Sequence, residues 1–143
     1  MSATVDLNSD FGRAVNQHLE QQYVIWLTTI DSKLTPQPRP VWFLWQEDTI
    51  LIFSQPRAHK VAHIGKHPRV ALHFNTDETG EKYVIVFTGQ AVLDPHAPAA
   101  HQVPAYLEKY NDGIAALDMT PEEFSREYSV AIKIRPTEVR GWE

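Results

Sequence analysis

Val41-Trp42-Phe43-Leu44-Trp45-Gln46, then Glu47-Asp48, then Thr49-Ile50-Leu51-Ile52-Phe53-Ser54: two apolar runs are separated by a two-residue polar reversal. Runs so dense in aromatic and β-branched residues read as strands, and a two-residue gap joins them as an antiparallel hairpin. The same composition marks strands at Tyr23–Ile30, Arg69–Asn75, Lys82–Leu93 and Ser129–Ile134, the last allowing an extension past Pro136 to Val139. The Thr76–Glu81 turn, with Gly80, joins Arg69–Asn75 to Lys82–Leu93, and a bend is expected near Gly89. Asp31–Pro40, rich in proline, reads as a loop. Ser9 or Asn8 caps a first helix ending near Gln21. Ala58–Gly65 predicts two helical turns stopped by Gly65 and Pro68, and His96–Asn111 reads as mainly helical. Thr120 caps a last short helix, with Pro121, Glu122 and Glu123 in its first turn. Reversals this short do not supply the crossovers of about a dozen residues that a parallel sheet needs. The expectation is a mainly β, single-domain chain (1–143), with six antiparallel strands closed or half-closed into a small barrel and helices at its periphery.

Composition narrows the function. The 143 residues include 4 Trp, 5 Tyr and 6 Phe, too many for a disordered tail. With 18 Asp and Glu against 13 Lys and Arg, the net charge of -5 argues against a general nucleic-acid or polybasic membrane binder. The absence of cysteine excludes disulfides, thiolate metal sites, iron–sulfur clusters and Cys nucleophiles. No stretch approaches the ~18 apolar residues of a membrane helix. Met1–Asp10 has no basic region followed by an apolar core, so no signal peptide and a cytoplasmic location are expected.

Charge is unevenly spread. Thr49–Thr76 contains no Asp or Glu but holds Arg57, Lys60, Lys66 and Arg69, with His59, His63, His67 and His73. Arg57 offers a planar fork for phosphate oxygens and Lys60 a compact charge three residues on. Ser54 adds a hydroxyl at the strand end, and early helical N–H groups at 58–65 would reinforce an anion site. A solvated basic turn is the bland alternative. The four-residue spacing of His59, His63 and His67 invites a metal, but Gly65 and Pro68 interrupt it and no acid is near, so none is expected. Arg39 stands where the proline-rich loop enters a strand. Alternation puts Val41, Phe43 and Trp45 on one side and Trp42 on the other, which suits either core or a flat aromatic ligand. One of Thr28 and Thr29 must face inward, where its hydroxyl needs a partner. Gln90 is suited to ribityl hydroxyls or to a sheet edge. Nucleotide-loop, zinc-protease and serine-hydrolase motifs are all absent. No general base stands out, which suits chemistry carried by a redox cofactor.

Taken in order, Tyr23–Thr29, Arg39-Pro40-Val41-Trp42-Phe43, Ser54…Arg57…Lys60 and His67-Pro68-Arg69-Val70-Ala71-Leu72 resemble the pyridoxamine 5′-phosphate oxidase-like split-barrel family. With Tyr128–Ile134 and Arg135–Trp142, the chain is most similar to its short flavin/deazaflavin-dependent oxidoreductases, including the F420-dependent branch. The resemblance implies a homodimer of six-stranded split barrels with two cofactor sites at the dimer interface. It implies that Arg57 and Lys60 hold the phosphate of FMN or F420, that Arg39–Phe43 runs beside the ring, and that Thr28 and Thr29 lie near by. It implies hydride transfer to a small conjugated or quinone-like substrate, or else a non-catalytic FMN, F420 or haem binding or storage protein. The chain lacks the C-terminal Arg/His segment of true pyridoxamine phosphate oxidases, which argues against pyridoxal phosphate synthesis.

Overall fold

The computed structural model describes residues 8–143, so most of the Met1–Asp10 stretch read for a leader lies outside the described residues. Helix α1 (Asp10–Gln21) starts at Ser9, whose Oγ accepts the Gly12 N–H at 2.9 Å. It is followed by β1 (Val24–Ile30), β2 (Pro36–Trp42), β3 (Leu44–Gln46) and β4 (Thr49–Ser54), then α2 (His59–Lys66). Strands β5 (Arg69–His73) and β6 (Val84–Leu93) precede α3 (Pro104–Ala116) and α4 (Pro121–Glu127), and β7 (Val130–Trp142) ends the chain. The expected helix over His96–Asn111 begins instead at Pro104, where a proline at the first helical position needs no N–H partner. Thr120 and Glu123 form the reciprocal cap of α4.

All seven strands form one antiparallel sheet in the order β2-β1-β5-β6-β7-β4-β3. Seven replaces the six expected, and both reasons are local. First, Pro36–Pro40 is not a loop but the start of edge strand β2. Its prolines sit at every second residue, opposite Ile30, Thr28 and Trp26. Their missing N–H groups therefore all fall on the outer side of the edge, where the ladder to β1 needs none. Second, the run Val41–Gln46 breaks at Phe43, because β2 and β3 lie at opposite edges of the sheet. A single residue joins the two edges, so the sheet has to curl until they meet. The result is a half-closed barrel, and Phe43 is its seam.

The hairpin read from Glu47-Asp48 forms: Gln46 pairs with Thr49, and both turn residues have positive φ (54° and 59°), as a type I′ turn requires. The bend expected near Gly89 is a register shift between Thr88 and Gly89: Thr88 pairs with Glu138 and Gly89 with Pro136, so Thr137 of β7 is the extra residue. A Cβ at Gly89 would lie 2.8 Å from the Arg135 carbonyl oxygen and 2.9 Å from Ile134 Cγ2. Gly89→Ala is therefore expected to cost about 2 kcal/mol, read as a lower urea midpoint at unchanged slope.

Two apolar clusters hold the fold. The first fills the barrel with Ile25, Leu27, Leu72, Phe87 and Ile132, to which α1 adds Val15 and Leu19 and α2 adds Ile64. The second seats Tyr106, Tyr110, Ile114 and Phe124 of α3 and α4 on Leu44, Leu51, Phe53 and Ala131. Among the described residues, no helix is long and apolar enough to cross a membrane.

Candidate functional site

Strands β1 and β2 send Thr29, Gln37 and Arg39 to one side, because Thr29 pairs with Gln37 and Leu27 with Arg39. Helix α2 faces them with His59, Lys60, His63 and Lys66. Between these walls lies a cavity of about 760 Å³, closed at one end by Asp31 and Ser32. A second cavity of about 300 Å³ shares Pro40, Ala58 and Lys60 with the first. Its other walls are aromatic: Trp42, Phe53, Tyr106, Phe124 and Tyr128, with Ser54 and Val41 at the strand side. Trp42 stacks on Tyr110 at 4.6 Å and on Phe124 at 5.8 Å, and Phe124 stacks on Tyr128 at 4.4 Å. Lys60 thus stands between a polar and an aromatic chamber.

Electrostatics single out the same side chain. Burial, followed by the neighbouring Arg39 guanidinium, lowers the Lys60 pKa below the usual lysine value. The penalty falls on the half-buried Lys60, since Arg39 is exposed, and the neighbouring like charge adds to it, so an anion is favoured beside them. Among the described residues neither has a carboxylate within ion-pair distance. The acid that lines the larger cavity, Asp31, is already engaged. Its carboxylate accepts the Thr35 and Lys33 N–H groups at 2.9 Å and the Gln37 amide at 3.0 Å, and its pKa is lowered chiefly by the Thr35 and Gln37 bonds. Thr29, only 2% exposed, has its hydroxyl 2.8 Å from His63 Nδ1. That pair supplies the partner required of an inward-facing threonine and fixes the imidazole against the cavity wall. No cluster of three His, Asp or Glu able to hold a metal is present among the described residues.

Behind the aromatic chamber, α3 closes the barrel seam. The Phe43 N–H donates to Tyr110 Oη at 2.7 Å, and that hydroxyl lies 2.8 Å from the Phe43 carbonyl and 2.7 Å from the Tyr23 carbonyl. Lys109 Nζ also donates to the Phe43 carbonyl at 2.8 Å and sits 3.7 Å from the Phe43 ring centroid. Burial lowers the Lys109 pKa from 10.5 to about 8. Below about pH 8 the amine is charged in both folded and unfolded chains, and burial penalises only the former. Between about 8 and 10.5 the folded protein gives up this proton first, so stability rises with pH across that window. The gain expected is on the order of 1 kcal/mol after allowance for solvent screening. Urea titrations at pH 7.5 and 10 should show it in the wild type and not in Lys109→Gln.

The sequence profile described as pyridoxamine 5′-phosphate oxidase matches residues 11–143. The chain belongs to that family. No curated protein matches it. Among solved structures it is similar to an F420 reductase (21% identity, TM-score 0.64, covering 87% of this chain and 94% of that one). It is also similar to a conserved hypothetical protein of Mycobacterium tuberculosis (18% identity, TM-score 0.74, 100% and 89% covered). A third is HutZ, the haem storage protein of Vibrio cholerae (12% identity, TM-score 0.61, 90% and 91% covered). At these identities the likeness is one of fold.

The family member seen here gathers some of the residues singled out in the sequence and separates others. Thr29, Arg39 and Lys60 line the larger cavity, and Val41, Trp42, Ser54 and Lys60 the smaller. Arg57 is exposed in the turn before α2 and lines neither. Phe43 is fully buried in the barrel core, and Gln90 is exposed opposite Arg69. Thr28, next to Thr29 but of opposite parity, is half-buried on the other face of β1. The sequence reading missed Asp31, Gln37 and the role of His63, as well as the rings of α3 and α4. The 34-residue separation of Thr29 and His63 leaves no local signal. Asp31 did carry one, since an Asp followed two and four residues later by turn N–H groups is a common turn cap.

Proposed function

We propose that the chain is a flavin- or deazaflavin-dependent oxidoreductase that binds FMN or F420. The observation that supports this best is the neighbouring pair Arg39 and Lys60, without a carboxylate partner among the described residues, on the wall of a cavity large enough for a tricyclic ring. Their cations suit the cofactor phosphate, with the first turn of α2 beside them. Gln37 and Thr29 offer amide and hydroxyl groups along the adjoining wall, and Lys66 and His67 extend the basic side toward any further anionic tail. The donor set therefore fits a phosphorylated cofactor. When bound, such a cofactor supplies hydride transfer to a small conjugated or quinone-like acceptor. The protein's own part is to orient the ring and to exclude water with the Trp42–Phe124–Tyr128 stack.

We also propose a homodimer. The row Trp26–His73–Val86–Arg140 runs across four strands on the sheet face opposite the barrel core, and Trp26 stacks parallel to His73. A half-apolar row of this kind suits a second copy of the chain. Absorption and mass spectra of freshly purified protein, followed by turnover of menadione with reduced F420 or reduced FMN, test the enzyme reading. Turnover supports it. Tight cofactor binding with no turnover replaces it by the storage reading, and no binding of FMN, F420 or haem overturns both.

A further inference from the structure

Away from these cavities, a groove of about 420 Å³ runs between the last turns of α1 and the loop from β5 to β6. One wall is Gln17, His18, Gln21 and Gln22; the other is Asn75, Thr76, Asp77 and Tyr83. Three features show that it is built rather than incidental. The loop is rigid, because Asp77 accepts the Glu81 and Lys82 N–H groups at 3.1 Å and the Thr79 hydroxyl. The side chains are aimed: Trp26 Nε1 donates to Asn75 Oδ1 at 3.0 Å, which turns the Asn75 amino group outward. The His18 ring is set between Phe74 and Tyr83 at 5.4 and 5.6 Å. Finally, Tyr83 is 45% exposed yet held at φ +60°, a conformation that costs a bulky side chain stability.

The chemistry of the walls selects the ligand. The side chains of Gln17, Gln21 and Gln22 hydrogen-bond no protein group among the described residues, so each offers a paired donor and acceptor. No Lys or Arg lines the groove, which disfavours anions, and the one carboxylate in its wall, Asp77, is already committed to the N–H groups and hydroxyl of its own loop. Carboxamides around an exposed aromatic face match adjacent hydroxyls on a ring whose other side carries C–H groups. The geometry points to a binding site for a neutral sugar ring, independent of the cofactor cavity.

Saturation-transfer NMR with methyl α-glucoside, methyl α-mannoside and methyl β-galactoside, with glucuronate as the anionic control, tests this assignment on the full chain. At least one neutral pyranoside should show transfer, insensitive to salt and weaker for glucuronate. Tyr83→Gly should weaken that binding about tenfold or more by removing the ring. It should also raise the melting temperature by about 3 °C by removing the strained φ. Gln21→Ala, on the exposed helix face, should weaken binding without moving the melting temperature. No transfer from any neutral pyranoside, equal or tighter binding of glucuronate, or unchanged binding in both variants would overturn the site.

Discussion

Lys60→Ala is expected to weaken FMN binding by about 30-fold while changing riboflavin binding by less than about threefold. A charge-assisted bond from a partly desolvated ammonium contributes about 1.5–3 kcal/mol, and riboflavin lacks the phosphate that receives it. Arg39→Ala should behave in the same way, because its guanidinium is the neighbour that depresses the Lys60 pKa. Arg57→Ala separates the structural assignment from the sequence-based one. Its side chain is exposed and outside both cavities, so its loss should stay within about threefold through screened long-range attraction alone. Calorimetry with both ligands on all three variants decides the matter. Equal losses for FMN and riboflavin in Lys60→Ala would place the phosphate elsewhere, and a large loss in Arg57→Ala would restore the turn as its holder.

Tyr110→Phe is expected to destabilise the protein by about 3 kcal/mol, which lowers the melting temperature by about 10 °C. The ring itself is conserved by this change, so packing against Trp42 and Tyr106 stays. What is lost is one hydroxyl at the seam. It carries a single proton, shared between the Phe43 and Tyr23 carbonyls, and its lone pair is the acceptor for the buried Phe43 N–H. Lys109 still serves the Phe43 carbonyl, but nothing replaces the acceptor for that N–H. An orphaned buried donor costs its full desolvation, about 1–3 kcal/mol, and the released Tyr23 carbonyl adds to it. Because the seam joins the two edges of the sheet, hydrogen exchange should rise first at Trp42–Leu44. A change below about 1 kcal/mol would mean that water or a rearranged backbone satisfies the seam instead.

How much of this was legible in the sequence depended on the range over which the cause acted. The Glu47-Asp48 turn, the Ser9 and Thr120 caps and the Gly89 bend are decided within a few residues, and each was readable. Asp31–Pro40 was misread because prolines argue against a central strand, whereas only the strand's position at the sheet edge makes their alternation harmless. The break at Phe43 was invisible, since its partner Tyr110 lies 67 residues away. The acid-free window did mark Lys60, and the strand entry marked Arg39. What the window could not say is that α2 begins only at His59, which leaves Arg57 outside the cavity wall while Lys60 and His63 face in.

The alternating prolines of β2 have one more effect, on which surfaces are open to the proposed pairing of two copies. A bare sheet edge normally shows both donors and acceptors and so templates a further strand. The outer rim of β2 has lost its N–H groups at Pro36, Pro38 and Pro40, so it can accept but hardly donate, and an incoming strand would bury unanswered carbonyls. At the other rim, β3 is only three residues long. Neither border can seed a growing sheet. The homodimer proposed above is thereby left to contact between whole faces rather than fibre-like addition at the edges, and an assembly of that kind closes on itself and stops.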